Sequence, residues 1–254
     1  MNREQLYKTG WRLAGASAVG GAGVGAVVWL APGGLGEQDP VAVESGASAD
    51  GYRAVHDAVA GAPEWLGTLL VVAGEAVLVV LGLLLAWMGW MALRRKDARL
   101  TGGAMLVGVG TLVAYGVSEG VKLAVGEMRP CNALRGVAAV AECPGAGDWA
   151  FPSNHATLAA GLAVGVALLR PWLAVLTLPL AGAAALLRVA VGVHYPHDVV
   201  AGAVLGATGT AAVLVLAWPL ATRAISAVLA KLGWHDPGFV GDHGRGRPVV
   251  DAEP

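Results

Sequence analysis

The chain is short of charge. Only 14% of its 254 residues are Asp, Glu, Lys or Arg, where a soluble domain carries roughly 25%. What charge it has nearly cancels, at a net −1, so it offers no basic face and excludes nucleic acid as a partner. Cysteine is almost absent. Cys131 and Cys143 are the only two, too few for a disulfide framework or a closed zinc site, and no metal is expected. Internal repeats and a second domain are also missing.

What fills the chain instead is apolar sequence, 56% of all residues. Runs of about 20 apolar residues are long enough to span a bilayer. Six occur, at about Trp11–Ala31, Trp65–Leu93, Thr101–Val121, Ala156–Leu169, Trp172–Val191 and Val199–Ala221. The fourth is short and is expected to begin at Ser153. The predicted fold class is all-α: a polytopic membrane protein with six transmembrane helices in a compact bundle over residues 1–233. The Gly-, Pro- and charge-rich remainder, 234–254, is expected to be a disordered cytoplasmic tail.

Tryptophans sit near the span ends, as interfacial anchors do. Small residues recur four apart (Gly21 and Gly25, Gly161 and Gly165, Gly202 and Gly206), which lets helix backbones approach closely. Basic residues fix the expected orientation. Arg3, Lys8 and Arg12, then Arg94 to Arg99, then Arg170, then Arg223 and Lys231 fall on one side, which the positive-inside rule makes cytoplasmic. Both termini are therefore expected in the cytoplasm of a plasma-membrane protein, with the first span a retained anchor rather than a cleaved signal. Cys131 and Cys143 fall on the outer side, in one loop. A bridge between them would contribute about 3 kcal/mol to loop order; two free thiols are the alternative. The outer loop from Pro32 to Glu64 contains a candidate short helix capped by Asp50, with Tyr52, Val55 and Val59 on one face.

Against this apolar background stand three polar islands: Lys122 to Pro130, Pro152 to His155 and Arg188 to Asp198. All lie at span ends on the predicted outer face, where ionisable residues mark a site. In the third, Pro196 suits a first helical turn and puts Asp198 in that turn. A carboxylate four residues after His194 could orient the ring and leave its other nitrogen free as a nucleophile; a capping Asp beside an interfacial His reads equally well. In the second island Ser153 is an N-cap candidate, and the amides that follow, Asn154 included, suit an anion. His155 could then protonate a departing oxygen, or simply sit at headgroup level. In the first, Lys122 and Arg129 are seven apart and would share a face if the helix continued to Pro130. Together with Arg188 they could surround a phosphoryl group, whose transition state concentrates charge on its oxygens; snorkelling to headgroups is the alternative.

In sequence order, K-x6-RP, PS-x-H and R-x5-H-x3-D, these islands resemble the signature of the type 2 phosphatidic acid phosphatase superfamily of membrane lipid phosphatases. Lys122, Arg129 and Pro130 match the first part, Pro152, Ser153 and His155 the second, and Arg188, His194 and Asp198 the third. Asn154 stands where glycine is frequent, and Leu187 replaces a serine that often precedes the arginine. The resemblance implies a metal- and cofactor-free hydrolase. His194 would be the nucleophile, Asp198 its orienting group and His155 the acid, while Lys122, Arg129, Ser153, Asn154 and Arg188 hold phosphate. His197 is expected to be a neighbour of the site.

The expected substrate is a lipid phosphate or diphosphate, first of all a polyprenyl diphosphate (undecaprenyl-diphosphatase-like) used in building the cell envelope. Phosphatidate, phosphatidylglycerophosphate and a phosphorylated polyprenyl sugar are alternatives. A non-catalytic lipid-phosphate binder or a transporter is the reading of another class, with Glu75, inside the second span, its one hint; a single Glu is more often paired across the bundle or placed near a helix end. Oligomeric state is left open.

Overall fold

The computed structural model describes residues 3–36, 39–134, 139–145 and 147–233. Among these the regular structure is helical: α1 (Arg3–Leu30), α2 (Ala47–Ala60), α3 (Glu64–Arg94), α4 (Ala98–Val125), α5 (Pro130–Ala133), α6 (Asn154–Leu169), α7 (Ala174–Ala190) and α8 (Pro196–Lys231). A 3₁₀ turn, Pro171–Leu173, leads into α7. The expected tail, 234–254, lies outside the described residues.

Among the described residues, five helices are long and apolar enough to cross a membrane: α1, α3, α4, α7 with its 3₁₀ lead, and α8. In α3 the best window has a mean hydropathy of 2.7 with only 11% of it buried. Val72, Val79, Val80 and Leu83 point outward from it. A patch of that kind is a liability in water and an ordinary surface in lipid. Trp11, Trp29, Trp65, Trp87, Trp90 and Trp172 are all exposed on the same surface.

The sixth expected span, α6, is the exception. Its 16 residues reach about 24 Å, less than the roughly 30 Å of hydrocarbon. Protein rather than lipid surrounds it, since it packs on α3, α4, α7 and α8, and Ala159, Ala163 and Val166 are fully buried. A helix enclosed by other helices need not match the bilayer. Its nearest approach is to α8, where a Cβ on Gly202 would run into the Ser153 carbonyl and one on Gly206 into the Thr157 carbonyl. Thermal melting in detergent is expected to show Gly206→Val destabilised by about 1–3 kcal/mol, the usual cost of overpacking. Gly21→Val should leave the melt unchanged, because nothing lies within 4 Å of a Cβ there.

That contrast corrects part of the small-residue reading. Gly21 and Gly25 meet open space, and the glycine of α1 pressed against α8 is Gly23, facing Thr208. Two boundaries also move. Arg223 ends the sixth apolar run, but a charge does not end a helix, and α8 continues to Lys231 with Leu229 buried. The helix of the outer loop starts at Ala47 after Gly46, so Asp50 lies in its first turn and not at its cap. Tyr52 and His56 of α2 are buried, and the helix packs on α7 and α8.

Candidate active site

The three islands converge at one end of the bundle. They come from the C-terminal ends of α4 and α7, the N-terminal ends of α6 and α8, and the turns beside them. The other end carries Arg94, Arg95, Arg99 and Arg170; there Trp218 Nε1 donates to the Arg99 carbonyl at 2.8 Å. The polar site and the basic loops therefore occupy opposite poles.

His194 and Asp198 are both buried, at 2% and 0% exposure. The two readings of Asp198 hold together. Its Oδ2 accepts from the Tyr195 backbone N–H at 2.8 Å, capping α8, and faces His194 Nδ1 at 3.3 Å. The other ring nitrogen, Nε2, lies 3.2 Å from Arg129 NH1. A guanidinium only donates, so Nε2 is the acceptor and the proton sits on Nδ1, toward the aspartate. Burial, then the charges of Arg129, Arg188 and Lys122, push His194 well below its ordinary value of 6.5. The ring is neutral at pH 7, with a lone pair directed at the cations.

Arg129 is the hub. Its Nε and NH2 donate to the Asp148 carbonyl at 2.9 Å and carboxylate at 2.8 Å, and NH1 donates to the Val193 carbonyl at 3.1 Å. Lys122 Nζ lies 3.4 Å from Glu119 and 3.9 Å from Asp148. Lys122 and Arg129 thus meet at Asp148, though not as two positions of one helix. Gly126 adopts the left-handed conformation (φ 62°) and ends α4 at Val125, four residues before Pro130 could do so.

Ser153 occupies the N-cap position of α6, but its hydroxyl makes no capping bond. Among the described residues Ser153 Oγ and Arg188 Nε are buried without a hydrogen-bond partner, so both could donate to an oxyanion, beside the amides of the first turn of α6. The Asn154 side chain bridges Ser118 (2.8 Å) and Glu119, leaving its backbone amide as its anion donor. His155 Nε2 lies 2.7 Å from Glu75, and Arg188 NH1 3.7 Å from the same carboxylate.

Sequence reasoning missed the carboxylates that partner these cations. Glu75 was open to two readings, a transport residue or an acid paired across the bundle, and the structure sets it between His155 and Arg188, as the second has it. Asp148 and Glu119 carried no signal, lying outside every motif or at an unassigned helix position. Glu127 sat in plain view inside the first island and is fully buried. Cys131 and Cys143 are bonded to each other in the loop beside the site. Glu127, His197 and Asp198 each bring a possible ligand atom within 4.8 Å of the others, the one such group among the described residues. Their separations are those of N–H···O bonds, and a proton on His197 accounts for them.

Fold and site together define a helical membrane protein with a buried histidine, held by a carboxylate at one ring nitrogen and facing a group of cations with the other. Residues 103–222 match the family model described as PAP2 superfamily, so this stretch of the chain carries the pattern of that superfamily. Over 128 residues it is 37% identical to the decaprenylphosphoryl-5-phosphoribose phosphatase of Mycobacterium tuberculosis, in strain H37Rv and in strain CDC 1551/Oshkosh alike. The alignment takes in 50% of this chain and 66% of that protein, just under two thirds of the relative's length. Among solved structures, the transmembrane PAP2-type phosphatidylglycerolphosphate phosphatase of Bacillus subtilis superposes with a TM-score of 0.46 at 18% identity, covering 89% of this chain and 98% of that one.

Proposed function

We propose that the protein is a lipid phosphatase that removes a terminal phosphate through a phosphohistidine on His194. One observation carries this reading: the bare Nε2 of a neutral His194 points into the cation cluster, 3.2 Å from Arg129, while Nδ1 is held by Asp198. The Nε2 lone pair forms the N–P bond as the P–O bond to the leaving group breaks. His155 gives its proton to that oxygen, then takes one from the water that cleaves the N–P bond and frees phosphate. Lys122, Arg129 and Arg188, with Ser153 and the amides near Asn154, hold the equatorial oxygens, the main source of catalysis in phosphoryl transfer. These cations supply the charge a metal would otherwise supply, so phosphate release is expected to withstand excess EDTA.

For the substrate, the sequence put a polyprenyl diphosphate first and a phosphorylated polyprenyl sugar among the alternatives. The 37% identity to a decaprenylphosphoryl-5-phosphoribose phosphatase favours the second: a phosphomonoester on a polyprenyl-linked sugar. The site would face the outside of a plasma membrane, opposite the basic loops. The test is phosphate release by the purified protein in detergent with EDTA, offered a polyprenylphosphoryl sugar phosphate, a polyprenyl diphosphate, phosphatidylglycerophosphate and phosphatidate. Preference for the sugar phosphate is the expected result; preference for either glycerolipid would overturn the substrate reading.

The pH dependence has a definite sign. His194 acts unprotonated, and burial keeps it so below its ordinary 6.5. The acid limb of kcat/KM, which reports the free enzyme's essential base, is therefore expected below pH 6.5. An acid limb at or above that value would mean that the nucleophile is an ordinary exposed histidine.

A further inference from the structure

Behind Asp198, on the side away from His194, lies a second buried layer that the phosphoryl chemistry does not use. Glu127 is fully buried at the turn after α4. Its backbone is pinned on both sides. Val41 N–H donates to the Gly126 carbonyl at 3.0 Å, Met128 N–H to Val41 at 2.8 Å, and Ala150 N–H to Glu127 itself at 2.8 Å. The carboxyl group is thereby delivered to the start of α8, where Oε2 lies 3.1 Å from His197 Nε2. The same Nε2 is 3.2 Å from Asp198 Oδ1.

The protonation of this layer can be worked out from its bonds. The His197 backbone N–H donates to Ser48 Oγ at 3.3 Å, so the Ser48 hydroxyl is free to donate to His197 Nδ1 at 2.5 Å. Nδ1 is then the acceptor, and the ring proton sits on Nε2, facing both carboxyl groups. Two carboxyls with no exposure share that single N–H. Beyond it, Glu127 Oε1 has no partner among the described residues, and Asp198 Oδ1 has only its 3.2 Å approach to the shared N–H. Two ionised carboxylates in that position would repel in a medium that screens poorly, and such pairs hold a proton between them. Asp198 Oδ2 is committed to Tyr195 and His194, which favours its ionised form, so the proton belongs on Glu127.

We propose that Glu127 is a positioning residue for the nucleophile: a neutral carboxylic acid that, with His197, fixes Asp198 so that Asp198 holds His194 by Nδ1. Burial accordingly raises Glu127 to about 8. The groups around it are His197 and Asp198 from α8 and Tyr195 from the turn before it. Ser48 faces the same layer from α2, as does Phe151, whose ring stacks on His197 at 5.8 Å. Tyr195 is pushed up first by burial; it stays neutral and donates to the Val43 carbonyl at 2.8 Å. Among the described residues no Lys or Arg forms an ion pair with Glu127 or Asp198, which leaves the proton as the group that relieves them.

The role rests on the phosphatase reading, while the protonation does not, so the test has two arms on the full-length protein in detergent. The first is the infrared carbonyl stretch of an un-ionised carboxyl group. It is expected at pH 7 in wild type, to fade with a midpoint near 8, and to be absent from Glu127→Gln. An identical spectrum in both proteins, or a stoichiometric divalent cation found in the purified wild type, would overturn the proposal. The second arm is phosphate release. Glu127→Gln keeps a neutral donor and should retain wild-type kcat within about twofold, whereas Glu127→Leu should lose about 10- to 100-fold in kcat with little change in KM, the scale of supporting-shell losses. Equal losses in both variants at equal melting temperature would refute positioning by a neutral acid. If wild type itself released no phosphate, the phosphatase reading would fail and the infrared arm would still decide where the proton sits.

Discussion

His194→Ala is expected to lower phosphate release by about 10,000-fold or more, the scale seen when a covalent nucleophile is removed. The variant should still fold, because the ring makes few bonds that the bundle needs. Its contacts are Asp198 and Arg129, and both keep other partners: Tyr195 N–H for the aspartate, Asp148 and the Val193 carbonyl for the arginine. The variant should also still bind phosphate, since none of the cations is touched. A steady-state assay paired with inorganic phosphate as an inhibitor separates the two effects. Lost turnover with retained phosphate binding is the expected pattern. Turnover within tenfold of wild type would remove His194 from the chemistry.

Arg129→Ala is the second large effect, and it differs in kind. Arg129 is 5% exposed and links Asp148, the Val193 carbonyl and the nucleophile through four nitrogen contacts. Its removal takes away a transition-state cation, worth about 100- to 1,000-fold in comparable sites. It also leaves the Val193 carbonyl without that donor, which costs about 1–3 kcal/mol for a buried group. Activity and melting temperature should therefore fall together. Arg129→Lys is expected to recover part of the stability and little of the rate, because an ammonium cannot reproduce the planar fork. Full rescue by lysine would show that charge alone matters at this position.

The comparison of sequence with structure divides by range. What local patterning controls was legible: the apolar runs of α1, α3, α4, α7 and α8, the turn from Tyr195 into α8, and the pairing of His194 with Asp198 four residues on. The order of the three islands singled out Lys122, Arg129 and Arg188, which the structure brings together around His194. What depends on backbone geometry was not. The seven-residue spacing of Lys122 and Arg129 suggested one helical face, and the left-handed Gly126 broke it. Ser153 stands where a cap should stand, yet its hydroxyl is left free. Gly21 and Gly25 have the right spacing for a helix contact and face nothing, since spacing does not say which side of a helix meets its neighbour.

The carboxylates were the hardest to see. Glu75 lies 80 residues from His155 in the chain, and Asp148 is 19 from Arg129 across a loop. No periodicity connects residues so far apart. Glu127 was hidden differently. A lone Glu between two basic residues reads as a solvated charge, and only the short pairings at Val41 and Ala150 turn it inward. The clue that a sequence offers here is composition: a chain this poor in charge has little reason to keep an acid inside a cationic motif unless something faces it.

The central claim is a covalent bond between phosphorus and His194 Nε2, and rapid acid-free quenching with a substrate labelled in its terminal phosphate tests it most directly. A phosphoprotein is expected that forms before product, is stable to alkali and labile to acid, maps to the peptide carrying His194, and is absent from His194→Ala. His155→Ala, which lacks the group that activates water, is expected to accumulate that species when the leaving group is a good one. Turnover by wild type with no labelled protein at any time, and with oxygen from solvent entering phosphate in a single direct displacement, would contradict the claim.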